Sequence, residues 1–199
     1  MTVAVATEPG SDRPQRQRII AAAVELTARD GWSGVTMARL ADVVGVSRQT
    51  VYNEIGSKPA LAEAMVLNEL GRFLSMVEHA FDRHPDDLVA SIQAAMRGVL
   101  ELAEDNTLLH AIVSATHGTD TELLPLLTTH GGSLLAAAKA VIADRVQQFR
   151  LAFDERQVTV MIDVVVRVVL SHVMQPSDTP QRTAEDIAWV ARRMLRTDS

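Results

Sequence analysis

Apolar residues in this chain recur at steps of three and four, the spacing that gathers them on one face of a helix. Ile19, Ala22, Ala23 and Leu26 define a first helix over about Arg13 to Arg29, which Asp30-Gly31 ends, Gly31 suiting a left-handed position past the last turn. Trp32 follows as a core plug. Thr36 is placed to cap a short helix from Met37 to about Val44 that buries Met37, Leu40, Ala41 and Val44. Gly45 breaks it, Ser47 caps a third helix to about Ile55, Gly56 breaks that one, and Ser57 caps a fourth. The fourth is long, with Leu70, Phe73, Leu74, Val77 and Phe81 in one stripe up to His84-Pro85. Further helices are predicted over 86–104, 106–115, 120–129, 132–149, 154–174 and 180–196. Strand patterns are scarce, so the fold class is all-α. Residues 1–12 read as a disordered lead-in.

Composition narrows the chemistry. Of 199 residues, 47% are apolar, enough for a substantial core. There is no cysteine, so disulfides and thiolate chemistry are excluded. The first ten residues lack a basic segment and a long apolar run, and do not read as a secretion signal. The stretch from Val158 to Met174 is apolar but short for a bilayer. Asp163 and Arg167 within it would each cost roughly 2.5–3.5 kcal/mol at the membrane centre. A helix of a soluble, cytoplasmic protein with no membrane partner is the expectation.

The net charge of −6 argues against a nucleic-acid partner, but its distribution does not. Residues 1–60 hold seven cations against six anions, and the remainder twelve against nineteen. The N-terminal end therefore tolerates a polyanion.

Two short helices divided by Gly45 make a helix-turn-helix, in which one helix can enter a major groove while the other crosses the backbone. In the stretch "SRQTVYNEIGSK", Arg48, Gln49, Thr50 and Asn53 face outward by phase, while Val51 and Ile55 point inward. Arg can pair with guanine O6 and N7, and Gln with adenine N6 and N7. Thr36, Ser47, Tyr52 and Lys58 are candidates for phosphate contacts, which fix register without reading sequence. The start of the fourth helix, at Ser57-Lys58, offers free N–H groups and a favourable dipole to a phosphate. Tyr52 could instead pack on the first helix. Arg16 and Arg18 fit either a DNA-contacting arm or a solvated helix face.

The segment "RIIAAAVELTARDGWSGVTMARLADVVGVSRQTVYNEIGSKPAL", Arg18 to Leu61, resembles the DNA-binding domain of the TetR family of bacterial transcriptional regulators. The likeness rests on Ala22-Ala23 and Leu26, then Gly31, then "VTMARLADVVGVS", then Tyr52, Lys58 and Leu61 in order and at the family's separations, over about a quarter of the chain. It implies a helix-turn-helix domain over 13–58, a ligand-binding and dimerisation domain over 59–199, and a homodimer on double-stranded DNA. A small-molecule effector bound by the C-terminal helices would spread the two reading heads. Two positions depart from the family pattern. Glu54 stands where a histidine often contacts phosphate, and Thr27 where a phenylalanine is common.

No catalytic set emerges, and an enzyme is not expected. His110 and His117 lack a third ligand at helical spacing, so no metal site is predicted. The "HGGS" stretch at His130 to Ser133 has no nucleophile elbow to accompany it. No glycine pattern for a nucleotide is present, and no cofactor is implied.

Helix 154–174 is apolar almost all round, so it must be covered on two sides. A twin subunit meets that need, with Val158, Ile162, Val169, Trp189 and Val190 as the candidate interface. Asp163 and Arg167, four apart, can pair within the helix. The candidate pocket lies among helices 86–174, with Met96, Leu100, His110, Val113, His117, Leu123, Leu127 and Val165 as lining, which suits an apolar or amphipathic ligand. The function expected is a ligand-responsive, dimeric DNA-binding transcriptional regulator, a repressor released from a palindromic operator. The alternative is a helical small-molecule-binding adaptor without DNA binding.

Overall fold

The computed structural model describes residues 14–110 and 131–195, and the described residues are helical with no strand. The helices are α1 (Gln15–Asp30), α2 (Met37–Val44), α3 (Arg48–Ile55), α4 (Lys58–Arg83), α5 (Leu88–Glu104), α6 (Gly131–Val146), α7 (Glu155–Met174) and α8 (Pro180–Leu195), with a single 3-10 turn at Trp32–Gly34. Residues 107–110 are also helical. The predicted 120–129 helix, and the predicted 106–115 helix beyond 110, lie outside the described residues.

The chain forms two compact units. The first runs to Asn68, and the second contains Glu69–Leu109 and the described residues from Gly131 onward.

In the first unit, α1 packs on α2 and α3 through Ile19, Ala23, Leu26, Leu40, Ala41 and Val51, all buried. Two caps set the helix starts. The Thr36 hydroxyl accepts the Arg39 N–H at 3.2 Å, and the Ser47 hydroxyl accepts the Thr50 N–H at 3.0 Å. Each such cap contributes about 1 kcal/mol. Between them Gly45 sits at φ 73°, ψ 41°, and the N–H groups of Gly45 and Val46 both bond the Ala41 carbonyl. Only glycine takes this left-handed corner without strain, and the corner sets the angle between α2 and α3. Thr27 is fully buried, and its hydroxyl donates to the Ala23 carbonyl at 2.7 Å. That bond within α1 satisfies a polar group where an aromatic ring is usual for the family. Arg18, expected on an arm or a solvated face, donates instead to the Val44 carbonyl at 2.9 Å and closes the end of α2.

In the second unit α5 packs chiefly on α8 and also on α7, while α6 packs on α7. Phe81 anchors the core, with Phe149 meeting it edge-on at 6.1 Å between centroids. The turn between α4 and α5 is held by Ser91, whose buried hydroxyl reaches the His84 and Asp87 carbonyls, and by Asp87, which caps α5 at the Ala90 N–H. At α7 a reciprocal capping box joins Asp154 and Gln157. Among the described residues α7 alone is long and apolar enough to cross a membrane. Its Asp163 is paired with both Lys139 of α6 and Arg167.

Candidate nucleic-acid interface and effector cavity

Along α3 the phase read from sequence holds. Val51 and Ile55 are buried, and Arg48, Gln49, Tyr52, Asn53 and Glu54 are exposed, with Thr50 half-buried. The helix therefore presents a polar edge with two amides and a guanidinium. Gln49 Nε2 donates to Asn53 Oδ1 at 2.9 Å, which holds the two amides side by side and leaves the Gln49 carbonyl and the Asn53 amino group for base edges. Ser47 and Thr50 share a hydroxyl–hydroxyl bond at 2.7 Å. Thr36 accepts its cap bond through oxygen, which leaves its hydroxyl proton to donate elsewhere.

Tyr52 is half-exposed. The Lys58 ammonium lies 4.8 Å from the centroid of buried Trp32, which positions it by a cation–π contact at the start of α4. There the Ser57 hydroxyl takes only the Ala60 N–H, at 3.3 Å. Glu54 has no ion-pair partner among the described residues and is exposed. Behind this edge Asp30 bonds Arg29 and Arg39, and Arg39 also donates to the Gly34 carbonyl at 3.2 Å. Burial raises the Asp30 pKa, but the two guanidiniums outweigh it and hold the carboxyl below its ordinary value.

The second unit contains an apolar cavity of about 170 Å³. Helix α4 supplies Leu70, Phe73, Leu74, Val77 and Phe81, α5 supplies Ile92, Ala95, Met96 and Val99, α6 supplies Ala138 and Ile142, and α7 supplies Val165, Val166, Val169, Leu170 and Val173. Every lining side chain is apolar. Met96 and Val165 were expected there. Leu100 is buried outside the lining, and His110 is exposed. Val113, His117, Leu123 and Leu127 lie outside the described residues. The α4 contribution was missed because the pocket was sought only from residue 86 onward. The α4 stripe was itself the available signal.

The candidate dimer residues fall into two groups. Trp189 and Val190 are exposed. Val158 and Val169 instead line cavities of their own subunit, and Ile162 is buried. The outward face of α7 carries Val160, Val164 and Val168, at 54%, 47% and 36% exposure. A helix apolar all round gives no phase from sequence, so Val158, Ile162 and Val169 were not set apart there from Val160, Val164 and Val168.

An N-terminal helix-turn-helix with an exposed polar reading edge, followed by a helical body with an apolar cavity, defines a ligand-responsive DNA-binding regulator. The comparisons specify which kind. Residues 19–65 match the bacterial regulatory proteins of the tetR family, and residues 87–193 match the bacterial tetracyclin repressor C-terminal domain. The chain belongs to the TetR family.

It is 26% identical over 173 residues to the HTH-type transcriptional regulator AlkX of Mycobacterium tuberculosis, covering 87% of this chain and 81% of that protein. The crystal structure of the TetR family repressor AlkX from Dietzia sp., implicated in biodegradation of n-alkanes, matches with a TM-score of 0.71 and 26% identity over 90% of this chain and 96% of that one. The fatty acid degradation regulator FadR from Bacillus halodurans shares the fold, with a TM-score of 0.55 and 18% identity over 94% of this chain and 100% of that one. The protein is thus a DNA-binding transcriptional regulator rather than an adaptor without DNA binding. Regulators of this family bind operator DNA as dimers, respond to small-molecule effectors and are typically not enzymes.

Proposed function

We propose that this protein is a cytoplasmic homodimeric repressor that leaves a palindromic operator when a small apolar or amphipathic molecule carrying an alkyl chain fills the cavity of each subunit. One observation carries the reading: the cavity wall is wholly apolar, and five of its side chains come from α4, the helix that begins at Lys58 beside the reading edge. An apolar cavity of this size class accepts a benzene-sized guest, so a longer chain presses on the wall side chains. Helix α4 is among the elements it presses on. A ligand that prefers the displaced α4 lowers DNA affinity by its differential affinity for that state. The implication of the Dietzia relative in n-alkane biodegradation agrees with an alkyl chain as the effector.

In the DNA-bound dimer, two α3 helices enter successive major grooves about 34–36 Å apart. Arg48 and Gln49 read base edges, with Thr50 and Asn53 beside them, and Thr36, Ser47, Tyr52 and Lys58 hold phosphates. Residues 13–58 form the DNA-binding domain, and 59–199 bind ligand and dimerise. The subunits meet through the outward face of α7 with Trp189 and Val190 of α8. Gel-shift titration on a palindrome from the gene's own upstream region tests the proposal. Straight-chain alkanols should release the DNA, and short polar metabolites should not. Release by polar compounds alone would overturn the effector class.

A further inference from the structure

A second apolar cavity, of about 70 Å³, lies in the same unit. It is lined by Leu88 of α5, Val146 of α6, Val158, Met161 and Ile162 of α7, and Ala191, Met194 and Leu195 of α8. The two cavities share four lining residues: Phe81, Ile92, Ile142 and Val165. These come one each from α4, α5, α6 and α7, so they form a single layer across the bundle.

The rest of each lining falls on opposite sides of that layer. On α7 the first cavity takes residues from Val165 to Val173 and the second from Val158 to Val165. On α5 the first takes Ile92 to Val99 and the second Leu88 and Ile92, and on α6 the order is Ala138 and Ile142 against Ile142 and Val146. The cavities are therefore successive compartments of one channel, which runs along α7 for about 22 Å at 1.5 Å per residue.

We propose that the layer of Phe81, Ile92, Ile142 and Val165 is the chain-length selector of this regulator: a short alkyl effector ends against it, and a longer one must push through it into the compartment under α8. This rests on the alkyl-effector reading above. The occupant is a single unbranched chain, because both compartments are wholly apolar and arranged end to end. A branched or polycyclic molecule of the same volume would not fit two compartments joined at one layer. Phe81 is fully buried and held edge-on by Phe149, so it is the fixed side of the layer. Ile92 and Ile142 are only half-buried, and they are the movable side.

The test is a homologous series of straight-chain alkanols from butanol to dodecanol, titrated calorimetrically into the full-length dimer. Affinity should rise about fourfold per methylene while the first compartment fills, the transfer free energy of one buried CH2, and then flatten at a definite length. In Ile142→Ala that break should move to longer chains by about the volume removed, two to three methylenes. In Ile142→Phe it should stay or move to shorter chains. Ile92→Ala, on the opposite helix, should repeat the Ile142→Ala result and guards against one variant folding poorly. A break at the same length in all four proteins overturns the selector and leaves the alkyl effector standing. Alkanols that fail to bind any of them overturn both.

Discussion

The Nδ2 of Asn106 donates to Oε2 of Glu69 at 2.6 Å inside the second unit, joining α4 to the residue that starts the next helical segment. Both residues are buried, and Glu69 is the one buried carboxylate among the described residues. Arg72 holds the same carboxylate at 3.0 Å, and the Asn106 carbonyl oxygen accepts the Leu109 N–H at 2.8 Å, so one amide both pairs a buried charge and caps a helix. Removing it takes one donor from the carboxylate, which keeps Arg72, and leaves the helix without its cap. Asn106→Ala should cost about 2–4 kcal/mol, the sum of a lost hydrogen bond to a charged group and a lost cap. Asn106→Asp, which keeps the cap acceptor but sets two carboxylates together, should cost no less. Urea denaturation with unchanged m-value checks both, and a loss under 1 kcal/mol for Asn106→Ala would contradict the pairing.

The reading edge makes separable predictions for two cations. Arg48→Ala should weaken operator binding about ten- to a hundredfold and relax discrimination against scrambled DNA, because a base contact is lost. Lys58→Ala should weaken operator and scrambled DNA alike and lower the slope of log affinity against log salt by about one. Fluorescence anisotropy at several salt concentrations distinguishes them. The same salt response in both variants would mean that Arg48 touches only backbone.

Local chemistry made much of this molecule legible. Thr36, Ser47 and Asp154 announce helix starts because each offers a short side-chain oxygen to an orphan N–H, and Gly45 marks its corner because no other residue relaxes there. The boundaries of α2, α3 and α7 fell within a residue of expectation for that reason. What escaped was long-range. The Glu69–Asn106 bond joins residues 37 positions apart, and nothing near either one signals the other. The cavity needed four helices to be placed, and α4 was read as core stripe alone. Helix α6 stops at Val146 instead of 149, because the chain turns there to seat Phe149 against Phe81.

Asp163 predicts a pH dependence. Hydrogen bonds from Lys139 and then Arg167 hold its carboxyl below the ordinary value of 3.8. Because the folded pKa lies below the unfolded one, the stabilisation is complete above about pH 3.8 and disappears as pH falls through the folded value. Asp163→Asn should therefore lower Tm at neutral pH and flatten its fall below pH 3.8. Parallel Tm–pH curves for the variant and the parent, measured by scanning calorimetry, would show that the pair is energetically silent.

Val164 tests the dimer. It stands on the outward side of α7 between Val160 and Val168, an i, i+4, i+8 stripe, with half its surface exposed. A two-fold interface uses each residue twice, so one substitution changes two contacts. Burying a valine is worth about 1.5–3 kcal/mol as an upper bound, whereas a glutamate there faces desolvation and its symmetry mate. Val164→Glu should keep its helicity, because the side chain lies outside its own subunit's core. It should sediment as a monomer at micromolar concentration and bind a half-site about as well as the full palindrome. Ile162→Ala, inside the subunit, should lower stability without separating the subunits. If Val164→Glu stays dimeric while Ile162→Ala dissociates, the two faces of α7 have been assigned the wrong way round.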